Sequence, residues 1–129
     1  MSKVSIEISQ QDVNRWLDYK KMTNKKREEK GEMIETLVDL VSSGDITIDE
    51  ECNIVHQLLF PIGEIKILTY KPRLKAEAIS VHLKGVGSDD LTGMISAYAA
   101  ALTVQPKSVI KELDTEDFSI AKAIAIFFI

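Results

Sequence analysis

A chain of 129 residues with 45% hydrophobic and 28% charged side chains has a globular balance, which excludes the high-charge, low-apolar pattern of disorder and any fibrous class. Its formal net charge of −4 argues against whole-domain attraction to nucleic acid or anionic lipid. The single cysteine, Cys52, rules out an internal disulfide and leaves no reason to infer an oxidising compartment. One domain over residues 1–129 is expected, in two parts: a strand plus a charged helical region over 1–44, then a helical core with one short strand over 45–129.

Val4, Ile6 and Ile8 alternate with polar residues and predict a short strand. Ser9 with Asp12 then resembles a capping box ahead of a small apolar stripe at Val13, Trp16 and Leu17. From Lys20 to Lys30 the text KKMTNKKREEK sets six basic residues against two acidic ones, which reads as a solvated face or a hinge. After Gly31, the residues Met33, Ile34, Leu37, Val38 and Val41 give a clear amphipathic stripe, and Gly44 sits where a C-cap glycine belongs.

In DITIDEECNIVHQLLF, Thr47 and Glu50 stand in capping-box relation and Cys52, Val55, Leu58 and Leu59 share a helical face, so a helix is expected there. Pro61 and Gly63 punctuate its exit. EIKILTYKP predicts a strand ended by Pro72, and RLKAEAISVHLKGVG a helix with Leu74, Ala78 and Val81 inward and Gly85 closing it. Ser88, Asp89 and Asp90 open a further helix whose buried stripe is Leu91, Met94, Ile95, Tyr98 and Leu102, with Ala99 to Ala101 allowing close packing. Pro106 begins a short turn or helix, and Asp114 with Asp117 caps the terminal one. The fold class expected is mainly α: five or six helices with one or two short strands.

No active site declares itself. Cys52 and His56, four apart on the expected helix, would reach one metal ion only if two further ligands converged, and His82 is the only other histidine. A packed thiol beside a surface imidazole is the simpler reading, and no third group is visible for a Cys–His nucleophile. KGVGSDDLTG lacks phosphate-loop spacing, and its two aspartates would repel a phosphate. Capping accounts for Asp114, Glu116 and Asp117 without acid–base catalysis. No catalytic residue, metal or cofactor is expected, and the chain is not expected to be an enzyme.

The terminal stretch DTEDFSIAKAIAIFFI is the most informative feature. Phe118, Ala121, Ala125 and Phe128 form one stripe and Ile120, Ile124 and Phe127 a second, leaving Ser119 and Lys122 as a narrow polar edge. Such a helix must be covered on most sides, by its own core, by a groove on a partner, or by a second copy. At about twelve residues the run is short of the ~20 a membrane-spanning helix needs, so no membrane partner is expected. The start, MSKVSIEISQQD, has no apolar h-region behind a basic stretch, and a cytoplasmic setting is expected.

The order FPIGEIKILTYKPRLKAEAI, then DDLTGMISAYAAALT, then VIKELDTEDFSIAKAIAIFF resembles the tail assembly chaperones of long-tailed bacteriophages over roughly Phe60 to Ile129. The resemblance implies a small, mainly helical, non-enzymatic factor that coats the apolar helices of a tape measure protein before the tail tube forms. It implies Phe118, Ile120, Ile124, Phe127 and Phe128 as the client-binding set, and the tape measure protein, a frameshift-extended form of the chain and further copies as partners. An abrupt finish at AIAIFFI would suit the short form of such a pair. Nucleic acid is not an expected partner, although a small helical regulator binding it through Lys25, Lys26 and Arg27 is one alternative, and a structural virion component is another.

Overall fold

Ser5 accepts a hydrogen bond from the Ile8 amide at 3.2 Å and caps helix α1 (Ile6–Tyr19) in the computed structural model, which describes residues 3–129. The expected strand at Val4–Ile8 is therefore replaced by a helical turn, and Ile6 and Ile8 face solvent. The cap falls at Ser5, whereas Ser9 is buried within the helix with its hydroxyl bonded to the Ser5 carbonyl. A good N-cap outweighs three alternating residues. Val13, Trp16 and Leu17 are buried, as their spacing predicts.

Lys21 takes a left-handed conformation and turns the chain into helix α2 (Asn24–Glu29), capped by Thr23. This helix buries nothing, which fits its charge; Arg27 fastens it to α1 through Asp18 at 2.7 Å and the Met22 carbonyl at 3.0 Å. Helix α3 (Gly31–Ser43) follows, packs against α1 with Leu37, Val38 and Val41 buried, and ends at Gly44 with φ 86°. Only a residue without a Cβ enters that conformation cheaply.

Residues 45–62 depart most from expectation: strands β1 (Ile46–Ile48) and β2 (Ile54–Ile62) stand where the sequence pattern predicts a helix. Asp49 makes the turn between them, its carboxylate accepting from the Glu51 and Asn53 amides at 3.0 and 2.8 Å. Arg15 closes over that turn through the Ile48 and Asp49 carbonyls and the Cys52 sulfur. The i, i+3 spacing of Cys52, Val55 and Leu58 coincides with a second pattern, the alternation of Ile54, His56 and Leu58, and the alternation wins because β-branched residues flank the Asx turn.

Strand β3 (Ile65–Tyr70) returns antiparallel to β2, giving the order β1-β2-β3. Helix α4 (Ala76–Leu83) follows, but its buried residue is Ile79, while Ala78 and Val81 face outward. Helix α5 (Leu91–Thr103) is capped by Asp90, buries Ile95, Ala99, Ala100 and Leu102, and leaves Leu91 exposed. Its alanines admit α4, β3 and the last helix at close range. Helices α6 (Lys107–Lys111) and α7 (Thr115–Ala125, capped by Asp114) complete the chain.

Among the described residues there are thus seven helices and one three-stranded antiparallel sheet, so a mainly helical chain carries a larger β component than expected. The helices cover one face of the sheet. A single main cluster runs from Val13 to Phe127, drawing residues from both sides of the boundary expected at residue 44.

Candidate functional site

The inner face of the sheet carries a polar cluster within the core. Alternation along β2 turns His56 inward between Ile54 and Leu58, and alternation along β3 does the same for Tyr70 beyond Leu68. The two rings stack at 6.0 Å between centroids, and His56 Nδ1 lies 3.2 Å from the Tyr70 hydroxyl. On the other side, His56 Nε2 lies 3.1 Å from Asp117 Oδ1 on α7. All three side chains are fully buried.

Burial lowers the His56 pKa, against the opposing pull of Asp117, so the imidazole is neutral. Tyr70 is pushed far up by burial and by the Asp117 charge, and it keeps its proton. One proton arrangement satisfies both: the Tyr70 O–H donates to Nδ1, and Nε2–H donates to the carboxylate.

Asp117 has a second task. Between Gln57 and Ile62 the pairing of β2 with β3 shifts register, and the Leu59 and Phe60 amides leave the ladder. Both donate to Asp117, one to each carboxylate oxygen, at 2.9 Å. A side chain in the first turn of a helix therefore replaces the missing strand partner, in a position where the helix dipole also favours its charge. Capping, the role its sequence position suggests, belongs to Asp114 alone.

The cluster has the order of an acid, an imidazole and a hydroxyl, the logic of an activated nucleophile. Its hydroxyl, however, is sealed from solvent, and the surface cavities of about 590, 390 and 350 Å³ are lined by other residues. As folded, its chemistry is to pin β2, β3 and α7 together. Cys52 is also buried, at the β1–β2 turn with φ 64°, and its sulfur contacts Arg15; the packed thiol is as expected, but the imidazole expected at the surface is buried, and the two residues lie on a turn and a strand instead of one helix. Among the described residues, no group of three or more His, Cys, Asp or Glu side chains is placed to hold a metal ion. No helix there is long and apolar enough to cross a membrane.

The terminal residues are placed inward. Of the five residues implied as client-binding, Ile120, Ile124 and Phe127 belong to the main core, and Phe118 and Phe128 keep partial exposure. Phe127 and Phe128 meet the buried Trp16 ring edge-on at 5.3 and 6.1 Å, contacts worth about 0.5–1.5 kcal/mol each beyond their buried area. Lys20 lies 3.4 Å above the Phe128 ring. Burial lowers its pKa to about 8, with repulsion from Arg73 and Lys26 adding to the effect, while the ring face favours the charged form. The apolar end is covered by this chain's own core. What α7 presents outward is a shallow groove against α3, lined by Met33, Ser119, Lys122, Ala123 and Ile126.

Exposed apolar surface is concentrated elsewhere. Leu59, Phe60 and Ile67 on the β2–β3 hairpin are 42%, 54% and 52% exposed. Sequence reasoning missed this patch because Leu59 and Phe60 read as the end of a helix. The signal available was Ile67, which sits one step out of phase with Leu68 and Tyr70. Compared with protein-family models, curated proteins and solved structures, the chain finds no significant match in any.

Proposed function

We propose that the chain is a non-enzymatic binding protein that shields apolar helices of a client, in the manner of the tail assembly chaperones it resembles, with a tape measure protein as that client. It would act in the cytoplasm of a bacterial host. The observation that carries the reading is the hairpin: three large apolar side chains held in solvent on a strand pair whose bulge is tied down by Asp117. Isolated exposed apolar residues are ordinary, but Leu59 and Ile67 on the outward face, with Phe60 exposed at the bulge beside Leu59, offer a surface that an amphipathic helix can cover. The buried relay supports the same reading, since the catalytic-looking groups are spent on holding the hairpin.

The client surface in this proposal is the hairpin, extended by the exposed parts of Phe118 and Phe128. Ile120, Ile124 and Phe127 contribute by keeping α7 in place. Many weak copies along one long client would act through avidity. The test is co-expression with the tape measure protein of the neighbouring reading frames, comparing the parent with a Leu59→Ser, Phe60→Ser, Ile67→Ser variant whose folding is checked by circular dichroism. The parent keeps the client soluble and the folded variant does not. A folded variant that protects the client as well as the parent overturns the reading.

A further inference from the structure

The segment from Tyr70 to Lys75 carries three cations, Lys71, Arg73 and Lys75. Tyr70 and Pro72 are buried, and the Lys71 amide donates to the Leu102 carbonyl at 3.1 Å, so the backbone leaving β3 is anchored to the end of α5. Lys71, Arg73 and Lys75 line the mouth of a cavity of about 590 Å³, joined by His82. The Lys107 ammonium bonds the His82 carbonyl at 2.9 Å and ties α6 to α4 at the cavity's edge. No carboxylate lines the cavity, and among the described residues Lys71, Arg73 and Lys75 make no ion pair. Arg73 is also close enough to Lys20 to depress its pKa, which shows how crowded with positive charge this side is.

The rest of the cavity is aliphatic. Leu74, Ala78, Ala101 and Val104 form its wall. Val104 is the odd residue: it ends α5 in the left-handed conformation, with φ 55°, and is 68% exposed. A β-branched side chain is costly there, where glycine or asparagine is usual.

We propose that this cavity binds a phosphate monoester carrying a short aliphatic group. Three cationic side chains around one mouth, left unpaired on a protein of net charge −4, match a dianion better than a singly charged carboxylate. The Arg73 guanidinium presents the planar fork that suits phosphate oxygens, and Lys71 and Lys75 add point charges. Apart from the His82 imidazole the lining has no aromatic ring on which a nucleobase would stack, and the wall of Leu74, Ala78, Ala101 and Val104 suits an alkyl chain. Such a group is found on a free phosphoester and on an anionic lipid headgroup alike.

The probes are hexyl phosphate, hexanoate and inorganic phosphate, titrated into the full chain with backbone amide shifts as the readout. Hexyl phosphate saturates shifts at Lys75, Ala101 and Val104, and binds at least tenfold more tightly than either other probe. Arg73→Gln weakens it at least tenfold, and Ala78→Leu, which fills the wall from an exposed position, weakens it without altering charge. Lys25→Gln, on α2 and outside the cavity, leaves it unchanged. Thermal melts check that each variant folds, and Lys71→Gln replaces any that does not. Phosphatidylcholine vesicles with and without phosphatidic acid separate the two sources. Sedimentation with the acidic vesicles, competed by hexyl phosphate and lost in Arg73→Gln, assigns the site to a headgroup; saturation by hexyl phosphate without vesicle binding assigns it to a free ester. Failure of both hexyl phosphate and the acidic vesicles to bind overturns the proposal, as does equal weakening by Lys25→Gln and Arg73→Gln, which marks diffuse surface charge.

Discussion

The two faces of the β2–β3 hairpin are built from alternate residues of the same strands, yet they have opposite chemistry. Inward lie His56, Leu58, Leu68 and Tyr70, all buried; outward lie Gln57, Leu59, Ile67 and Thr69, all exposed. The inner face holds the groups that look catalytic and uses them structurally, because a neutral imidazole between a carboxylate and a phenol satisfies every polar atom it brings into the core. The outer face holds the groups that look structural and leaves them in water. A residue's type therefore says less about its role than the face it occupies.

The sharpest way to break that contrast is to remove what covers the inner face. A chain ending at Ala123 loses Ile124 and Phe127, both buried, and the rings packed on Trp16. Large-to-small changes at such positions cost roughly 2–5 kcal/mol each, so the sum approaches the whole stability of about 5–15 kcal/mol typical of a domain. Circular dichroism is expected to show this chain unfolded; a folded truncation would mean that the end is dispensable to the core. Asp117→Ala comes next. It strands the His56 Nε2–H and the Leu59 and Phe60 amides without their acceptor, and a loss of about 3–5 kcal/mol in urea unfolding is expected. A loss under about 1 kcal/mol would show that water replaces the carboxylate at no cost.

Some of this was legible in the sequence. The stripes of α1 and α3, the glycine cap at Gly44, strand β3 and the cap at Asp114 follow from local rules, and all are present. The β1–β2 hairpin was hidden because Cys52, Val55, Leu58 and Leu59 satisfy a helical spacing by coincidence, and only the Asx turn at Asp49 decides between the patterns. Asp117 was hidden because a second acid beside a capping aspartate looks redundant. Its partners lie 57 to 61 positions away, a separation no local rule reaches. The terminal helix was legible in needing cover, but not in what covers it, since Trp16 and Lys20 are brought to it only by the fold.

Acid tests the inner face more gently. Burial lowers the His56 pKa in the folded chain, whereas the unfolded chain titrates near the ordinary 6.5. Below that pH the unfolded state binds a proton that the folded state refuses, so stability is full above about 6.5 and falls as pH drops, by up to about 1.4 kcal/mol per unit. Urea unfolding at pH 7.5, 6.5 and 5.5, for the parent and for His56→Gln, isolates this contribution, because carboxylates common to both chains cancel in the difference. The parent loses more than the variant between 6.5 and 5.5. Equal slopes would mean that folding leaves the imidazole pKa unshifted, and a parent that loses less than the variant would mean that Asp117 outweighs burial.

The smallest effect on stability is expected on the outer face, which is the client surface in the proposed function. Ile67→Thr keeps a β-branched side chain at an exposed position opposite Gln57, so strand geometry is retained and the stability change stays within roughly 0.5 kcal/mol. Leu68→Thr, one residue along, puts a hydroxyl into the core and removes buried volume, which costs several times more, roughly 2–5 kcal/mol. If the hairpin is the client surface, the order reverses in the co-expression assay once stability is accounted for: Ile67→Thr lowers the yield of soluble client although it unfolds no more readily than the parent. A variant at Ile67 that loses stability as Leu68→Thr does would place that residue in packed surroundings, and the difference between the two faces would vanish with it.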